Sequence, residues 1–313
     1  MDGYSDIASQ PAISTLEFIV TEMSAKLQHI GAAAPTPARH NHAEAVKITR
    51  YSAFRDNFRL TTWIALGALL QGLASLLLPA RYALLPALYL LLHRAVRAIM
   101  MAGGVIPNTQ MDGVIMGKYT AQIPRKDGSL PTQPAEEEIA VILLAARSNH
   151  PLGLFGKGYR DISDMINGML AELWENGKEK YGFLGQTSYI AANERHTNNQ
   201  VLVLCYFRSI EGLHAFAHSP IHRKAWDWWN SVTKSYPYLS IMHEVYHAPK
   251  GHWENIYGNN HITGIAKTNA LVTIDGQPAR PLFDANRGSL RTQLGRLGRG
   301  DGAENEKYGP SPY

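Results

Sequence analysis

Residues 200–207 read Gln-Val-Leu-Val-Leu-Cys-Tyr-Phe, and residues 208–229 continue Arg-Ser-Ile-Glu-Gly-Leu-His-Ala-Phe-Ala-His-Ser-Pro-Ile-His-Arg-Lys-Ala-Trp-Asp-Trp-Trp. The first stretch has the β-branched and aromatic content of a strand. The second reads as two helical pieces, 209–217 and 221–233, broken at Ser219-Pro220. Working outward, 239–248 reads as a further strand, and the polar turn 193–199 leads back to a strand over 183–191. Before it, Ile162, Met165, Ile166, Met169, Leu170 and Leu173 stand at helical spacing within 159–176. Residues 138–147 contain Ile-Ala-Val-Ile-Leu-Leu-Ala-Ala, an apolar run of strand length. The order β-α-β-β-α-β predicts an α+β, ferredoxin-like domain over 111–275, its antiparallel sheet carrying helices on one face. Apolar residues on both strand faces predict a cover for the open face, most simply a second copy of the chain. That arrangement would be a dimeric α+β barrel.

The flanks differ in texture. Residues 1–57 read as a tail with linker: 13–27 as a short amphipathic helix, 32–37 and 38–44 as linker. No basic region followed by an apolar block opens the chain, which speaks against a cleaved secretory signal. From 63 to 92 there is no acidic residue and a single charge, Arg81. Two apolar runs, 63–78 and 82–92, predict a membrane-associated helical hairpin within 58–105, either spanning the bilayer or lying in it. A buried helix pair would have the same composition. Arg55 and Arg59 before the hairpin, with Arg94 and Arg97 after it, suit an anionic cytoplasmic leaflet. The expected location is a membrane, the endoplasmic reticulum, with the α+β domain cytoplasmic. The stretch 276–313 reads as a flexible Gly/Arg-rich tail, with Arg280, Arg287, Arg291, Arg296 and Arg299 adding positive charge.

Composition narrows the chemistry. A net charge of +4 over 313 residues gives no basis for a nucleic-acid partner. The single cysteine, Cys205, excludes an intrachain disulfide and any Cys-based zinc or iron–sulfur site. His214 and His218 stand four apart on one helix face, a spacing open to a metal, but Ala215 occupies the place where a zinc-protease signature needs Glu. His218 and His222 either pack and hydrogen-bond at a helix end or serve as acid/base groups, or one of them serves as an axial heme ligand. Trp226 follows His222 by four residues and shares its side, while Trp228 points elsewhere; these aromatics are core, or the wall of a pocket for a flat apolar ligand. Along 239–248, His243, Val245 and His247 share one side of the strand, and Met242, Glu244 and Tyr246 the other. Glu244 is a candidate buried acid/base with Tyr246 beside it as pocket lining, unless Glu244 pairs with Arg208 or Arg223. His252 and Glu254 follow in a loop placed to close over the site. Arg147, Asn149 and His150 stand beside a Gly-containing loop. With no Walker or Rossmann pattern they make a poor phosphate cradle, and Arg147 and Asn149 read as substrate contacts at a pocket mouth.

The runs Arg-Ser-Asn-His-Pro-Leu-Gly-Leu-Phe, Leu-His-Ala-Phe-Ala-His-Ser-Pro-Ile-His-Arg-Lys-Ala-Trp-Asp-Trp-Trp, and Met-His-Glu-Val-Tyr with Gly-His-Trp-Glu resemble a family of fungal monooxygenase-like proteins over roughly 60–268. That family is similar to the antibiotic biosynthesis monooxygenases of the dimeric α+β barrel superfamily, in which a Ser-Pro-x-His element occupies the second helix, here 219–222. The resemblance implies a membrane-associated oxidoreductase tailoring a small lipophilic secondary metabolite, as a homodimer. Some members of the superfamily oxidise electron-rich substrates with no cofactor, and others hold heme on one histidine; the residues leave both open. Crowding of His222 by Arg223, Lys224 and Asp227 favours the cofactor-free case. The alternatives are a heme-dependent aldoxime dehydratase-like lyase, a cofactor-free cyclase or isomerase, and a non-catalytic metabolite-binding membrane protein.

Overall fold

The computed structural model describes residues 38–192, 200–274 and 276–312. The expected helix over 13–27, the linker 32–37 and the turn 193–199 lie outside the described residues. Four helices open the described chain: α1 (Ala38–Asp56), α2 (Leu60–Leu77), the short α3 (Ala80–Ala83) and α4 (Leu85–Ala102). The stretch 38–44, expected as linker, is the first part of α1. Its helical state is set by docking, since α1 packs on the long helix and an edge strand of the domain that follows. In α2 and α4 no residue is buried, and Leu76 and Leu77 are more than four-fifths exposed. Both are long and apolar enough to cross a membrane. Inside the hairpin the Gln71 amide donates to the Ala83 carbonyl at 3.2 Å, which ties α2 to α3.

After β1 (Val114–Ala121) come β2 (Ile139–Ser148), α5 (Tyr159–Tyr181), β3 (Phe183–Ile190), β4 (Val201–Phe207), α6 (Ile210–Ala217), α7 (Pro220–Val232) and β5 (Leu239–Ala248). Strands β2 to β5 form one antiparallel sheet in the order β3-β4-β2-β5. With α5 and the α6–α7 pair as crossovers, this is the ferredoxin-like arrangement that the sequence pattern predicts. Local signals agree with it. Gly182 ends α5 at φ 64°, a left-handed cap that favours glycine, and Lys178 and Lys180 stand in the last turn, where the helix dipole favours cations. Ser209 caps α6 by accepting from the Gly212 N–H, and Ser219 caps α7 by accepting from the His222 N–H, with Pro220 in the first turn.

One face of the sheet packs on the helices through a core built from Leu173, Trp174, Phe183, Phe207, Leu213 and Phe216. The other face is covered in part by this chain itself. Strands β6 (Tyr257–His261), β7 (Val272–Ile274), β8 (Gln277–Ala279) and β9 (Leu282–Asp284) follow, and β1 sits between β6 and β9 in a second sheet. Tyr119, Ala121 and Leu282 of that sheet, with Ile265 and Ala266, pack against Ile139, Val141, Leu184 and Tyr206. A second copy is therefore not the first cover of this face. Nor is 276–312 a free tail. Strand β9 pairs with β1, Phe283 and Ala285 are fully buried, and α8 (Gln293–Arg296) ends in an arginine that is 7 % exposed. That Arg296 binds Glu254 at 2.6 Å, so Glu254 anchors the C-terminal segment and does not close over a pocket. The Gly/Arg composition misled because the segment is held by a few apolar anchors and ion pairs with no periodic pattern.

Candidate functional site

Helices α5, α6 and α7 do not close fully onto the sheet. Between them and the face formed by Ile142, Leu144, Ile241, His243 and Val245 lies a cavity of about 270 Å³. Alternation along β5 sends His243 and Val245 into it, and the β2–β5 register sets His243 opposite Leu144. From the helices come His214 of α6, and His222 and Trp226 of α7. Most of the remaining wall is aliphatic or thioether, including Met165 and Met169. Cys205 also borders the cavity, but burial pushes its thiol up to about 12, so it is an inert wall and no nucleophile.

His222 is the chemically distinctive wall residue. The Ser219 cap and Pro220 fix its backbone, and its ring stands edge-on to Phe216 at 5.9 Å. Burial lowers its pKa below the ordinary 6.5, and the neighbouring His243, His218 and Arg223 act in the same direction. A hydrogen bond from the imidazole to the Ala217 backbone opposes them. At neutral pH His222 is thus an uncharged imidazole facing an apolar space, able to accept a proton. Arg223, Lys224 and Asp227 are absent from the wall, although the Arg223 charge still bears on His222.

The remaining residues singled out from sequence fall elsewhere. His218 is the C-terminal cap of α6 and acts on His222 by charge alone, outside the wall. Trp226 is at the mouth, 46 % exposed, and Trp228 and Trp229 both border the cavity, Trp228 contrary to its expected direction. Glu244 and Tyr246 project from the opposite face of β5. Both are exposed, and the Tyr246 hydroxyl donates to the Glu244 carboxylate at 2.6 Å, with neither Arg208 nor Arg223 as partner. Arg208 instead stands 3.8 Å from Glu137. Arg147 and Asn149 lie beyond the cavity; the Asn149 N–H donates to the Tyr238 carbonyl at 2.7 Å, and His150 packs on the Tyr238 ring. Sequence reasoning passed over His243 and the His214 ring as cavity groups. The alternation on β5 separated the two sides correctly, but nothing in it said which side the helices leave open. Among the described residues no group of three or more His, Cys, Asp or Glu side chains is placed to hold a metal ion.

A curated relative, monooxygenase af470 of Aspergillus fumigatus, is 32 % identical over 271 residues, which cover 85 % of this chain and 96 % of the relative. The chain belongs to the monooxygenase af470-like family. The family's sequence profile matches residues 139–265, a span that contains every wall residue of the His222 cavity and leaves out α1, α2 and α4. Among solved structures, SnoaB, a cofactor-independent oxygenase from Streptomyces nogalater, overlaps 35 % of this af470-like chain and 91 % of its own, at 10 % identity and a TM-score of 0.24. A putative antibiotic biosynthesis monooxygenase from Caulobacter crescentus overlaps 36 % and 91 %, at 14 % identity and a TM-score of 0.25. Overlaps at such scores bear no weight on what the chain does.

Proposed function

We propose that this chain is a membrane-associated monooxygenase that oxidises a small lipophilic metabolite in the His222 cavity without a prosthetic group. The observation that carries this reading is the neutral, half-buried His222 imidazole facing an apolar cavity, with His243 across the same space. Family membership supports the class of reaction. His222 takes a proton from an activated CH2 carbon of the substrate, and the carbanion so formed reduces dioxygen to a peroxide anion on that carbon, which takes the proton back from the imidazolium as a bound hydroperoxide. Neutral His222 then removes the second proton of that carbon; the C=O bond forms as the O–O bond breaks, and the departing hydroxide takes that proton from His222 and leaves as water. One oxygen atom stays on carbon as a carbonyl, and all four electrons that reduce dioxygen come from the substrate. The apolar wall keeps water away from the carbanion.

Heme fits the site poorly. An imidazole is on hand, but about 270 Å³ is below the roughly 300–1,000 Å³ of pockets that bury drug-sized ligands, and a heme macrocycle is bulkier than most of those. Exposed, apolar α2 and α4 supply the membrane attachment, and the flanking Arg55, Arg59, Arg94 and Arg97 favour the cytoplasmic side of the endoplasmic reticulum for the α+β domain. A metabolite comparison tests the reading. A strain lacking the chain should accumulate an apolar precursor poorer by one oxygen than the normal product, and the His222→Ala chain should fail to restore conversion. An unchanged metabolite profile would argue for a binding protein instead.

A further inference from the structure

Both ends of the apolar hairpin are held on one side of the bilayer. α1 leads into it and the α+β domain follows it, and these two are joined. Arg50 of α1 binds Asp164 of α5 at 2.7 Å, and Asn57, between α1 and α2, accepts from the Leu154 N–H at 2.9 Å. Between them the chain therefore crosses the membrane twice or not at all. α2 has the length and composition for one crossing. The return is the difficulty. The stretch 81–102 is long enough, but its apolar run from Tyr82 to Leu92 measures about 16 Å at 1.5 Å per residue, half of a hydrocarbon core of about 30 Å. His93, Arg94 and Arg97 follow, and a crossing would draw them into the bilayer.

The faces of the two helices suit a different placement. In α4, Leu85, Leu88, Leu92, Val96 and Ile99 recur at steps of three and four on one face, with Arg94 and Arg97 on the opposite one. Helices that lie along a membrane surface have this pattern. In α2, Leu66, Leu69, Leu73, Leu76 and Leu77 share a face, all of them exposed, and Ala68, Gly72 and Ser75 share the other. Two crossing helices would seat on each other through such a small-residue side. Here Ala68, Gly72 and Ser75 are exposed, and no other part of the chain comes within 4 Å of the place a side chain on Gly72 would take. Charge points the same way. From 58 to 111 there are four arginines, Arg59, Arg81, Arg94 and Arg97, and no Asp or Glu. None of the four has a carboxylate partner among the described residues.

We propose that the hairpin lies in one leaflet only, the leaflet that faces the α+β domain. The leucine faces of α2 and α4 rest among the acyl chains, and Arg59, Arg81, Arg94 and Arg97 meet anionic lipid headgroups. The proposal rests on the membrane attachment read above and fixes its form: the protein is embedded from one side and has no part on the other.

Cysteine labelling in sealed microsomes tests it on the full chain, whose single native thiol, Cys205, is buried, so that the wild type serves as the blank. Pro79→Cys and Leu84→Cys, made separately, bracket the turn at α3, and Lys126→Cys reports the side of the domain; all three positions are exposed. A membrane-impermeant maleimide is applied to intact vesicles, then after a pore-forming agent that opens them without dissolving the bilayer, and last in detergent. The turn cysteines should label at the same step as Lys126→Cys. If turn and domain label at different steps before detergent, the hairpin crosses twice. If the turn waits for detergent, it is sunk in the hydrocarbon. Either result overturns the one-leaflet placement and leaves the attachment standing, whereas a chain that does not sediment with the microsomes overturns both. Arg94→Leu with Arg97→Leu lengthens the apolar run of α4, and in that background the turn should lose its labelling at the domain's step and gain it on the opposite side. Labelling that stays at the domain's step in that variant overturns the role given to the two arginines.

Discussion

Ser219 and Pro220 do for His222 what a loop could not. The serine caps the first turn of α7, the proline presets its backbone, and the imidazole leaves the helix at a fixed angle into the cavity. Ser219→Ala should lower stability by about 1 kcal/mol, seen as a drop of a few degrees in melting temperature, and should cut turnover more than a distant mutation of equal cost. His222→Ala should reduce kcat by about a hundredfold to ten-thousandfold with substrate binding retained. Because the folded-state pKa of His222 lies below 6.5, the acid limb of the rate profile should fall below pH 6.5 and activity should be flat above it. The same shift has a sign for stability. Below 6.5 the unfolded chain gains a proton on this residue that the folded chain resists, so the contribution is complete above 6.5 and is lost as pH falls toward the folded value. Urea midpoints measured between about pH 5 and 7 should therefore slope less steeply in His222→Gln than in the wild type.

At the level of elements, the split βαβ unit was legible because each piece carries a strong local signal. Strand β4 alternates Val203, Cys205 and Phe207 toward one core, and α5 repeats apolar residues at helical spacing between two glycines. The second sheet gave no such signal. Strand β1 has Gly117 in its middle, and β6 reads Tyr-Gly-Asn-Asn-His. Side-chain amides hold these strands where apolar alternation does not: Asn255 clamps Ala121 through both its backbone groups at 2.7 and 2.8 Å, and Asn259 and Asn286 accept from the Gly117 and Lys118 N–H groups. Periodicity cannot see such bonds, and for the same reason the C-terminal segment passed for a tail. Glu254→Ala should cost about 3–5 kcal/mol by leaving Arg296 buried without its carboxylate, a loss that chemical denaturation would measure. The hairpin of α2 and α4 was visible in composition, but its junction with the domain was not. Asn57, 7 % exposed, accepts from the Leu154 N–H at 2.9 Å, while Phe54 and Phe58 pack on Phe155 and Trp63 packs on both of them. Full-length protein should sediment with membranes and resist carbonate extraction, and a chain beginning at Met111 should stay in the supernatant. Free solubility of the full chain without detergent would remove the membrane attachment from the account.

Taken whole, the molecule places an apolar cavity within a family-defining α+β domain and hangs that domain on two exposed apolar helices. A substrate that partitions into lipid would then be concentrated near the domain that uses it. The candidate site was half legible: His222 stood out after the Ser-Pro break and Trp226 by its four-residue spacing from it, whereas His243 needed the tertiary choice of sheet face. Glu244 and Tyr246 fell on the other face for the same reason. Much of that other face is covered by β1, β6 and β9 of the same chain. The claim that carries the most is that His222 starts an oxygenation that needs no added cofactor. Purified chain, freed of metals and given the precursor accumulated by the deletion strain, should be incubated under isotopically labelled dioxygen. The account predicts product carrying one labelled oxygen atom with no reductant added, and almost none from His222→Ala. Unlabelled product, a requirement for an external electron donor, or full labelling by the His222→Ala variant would contradict it.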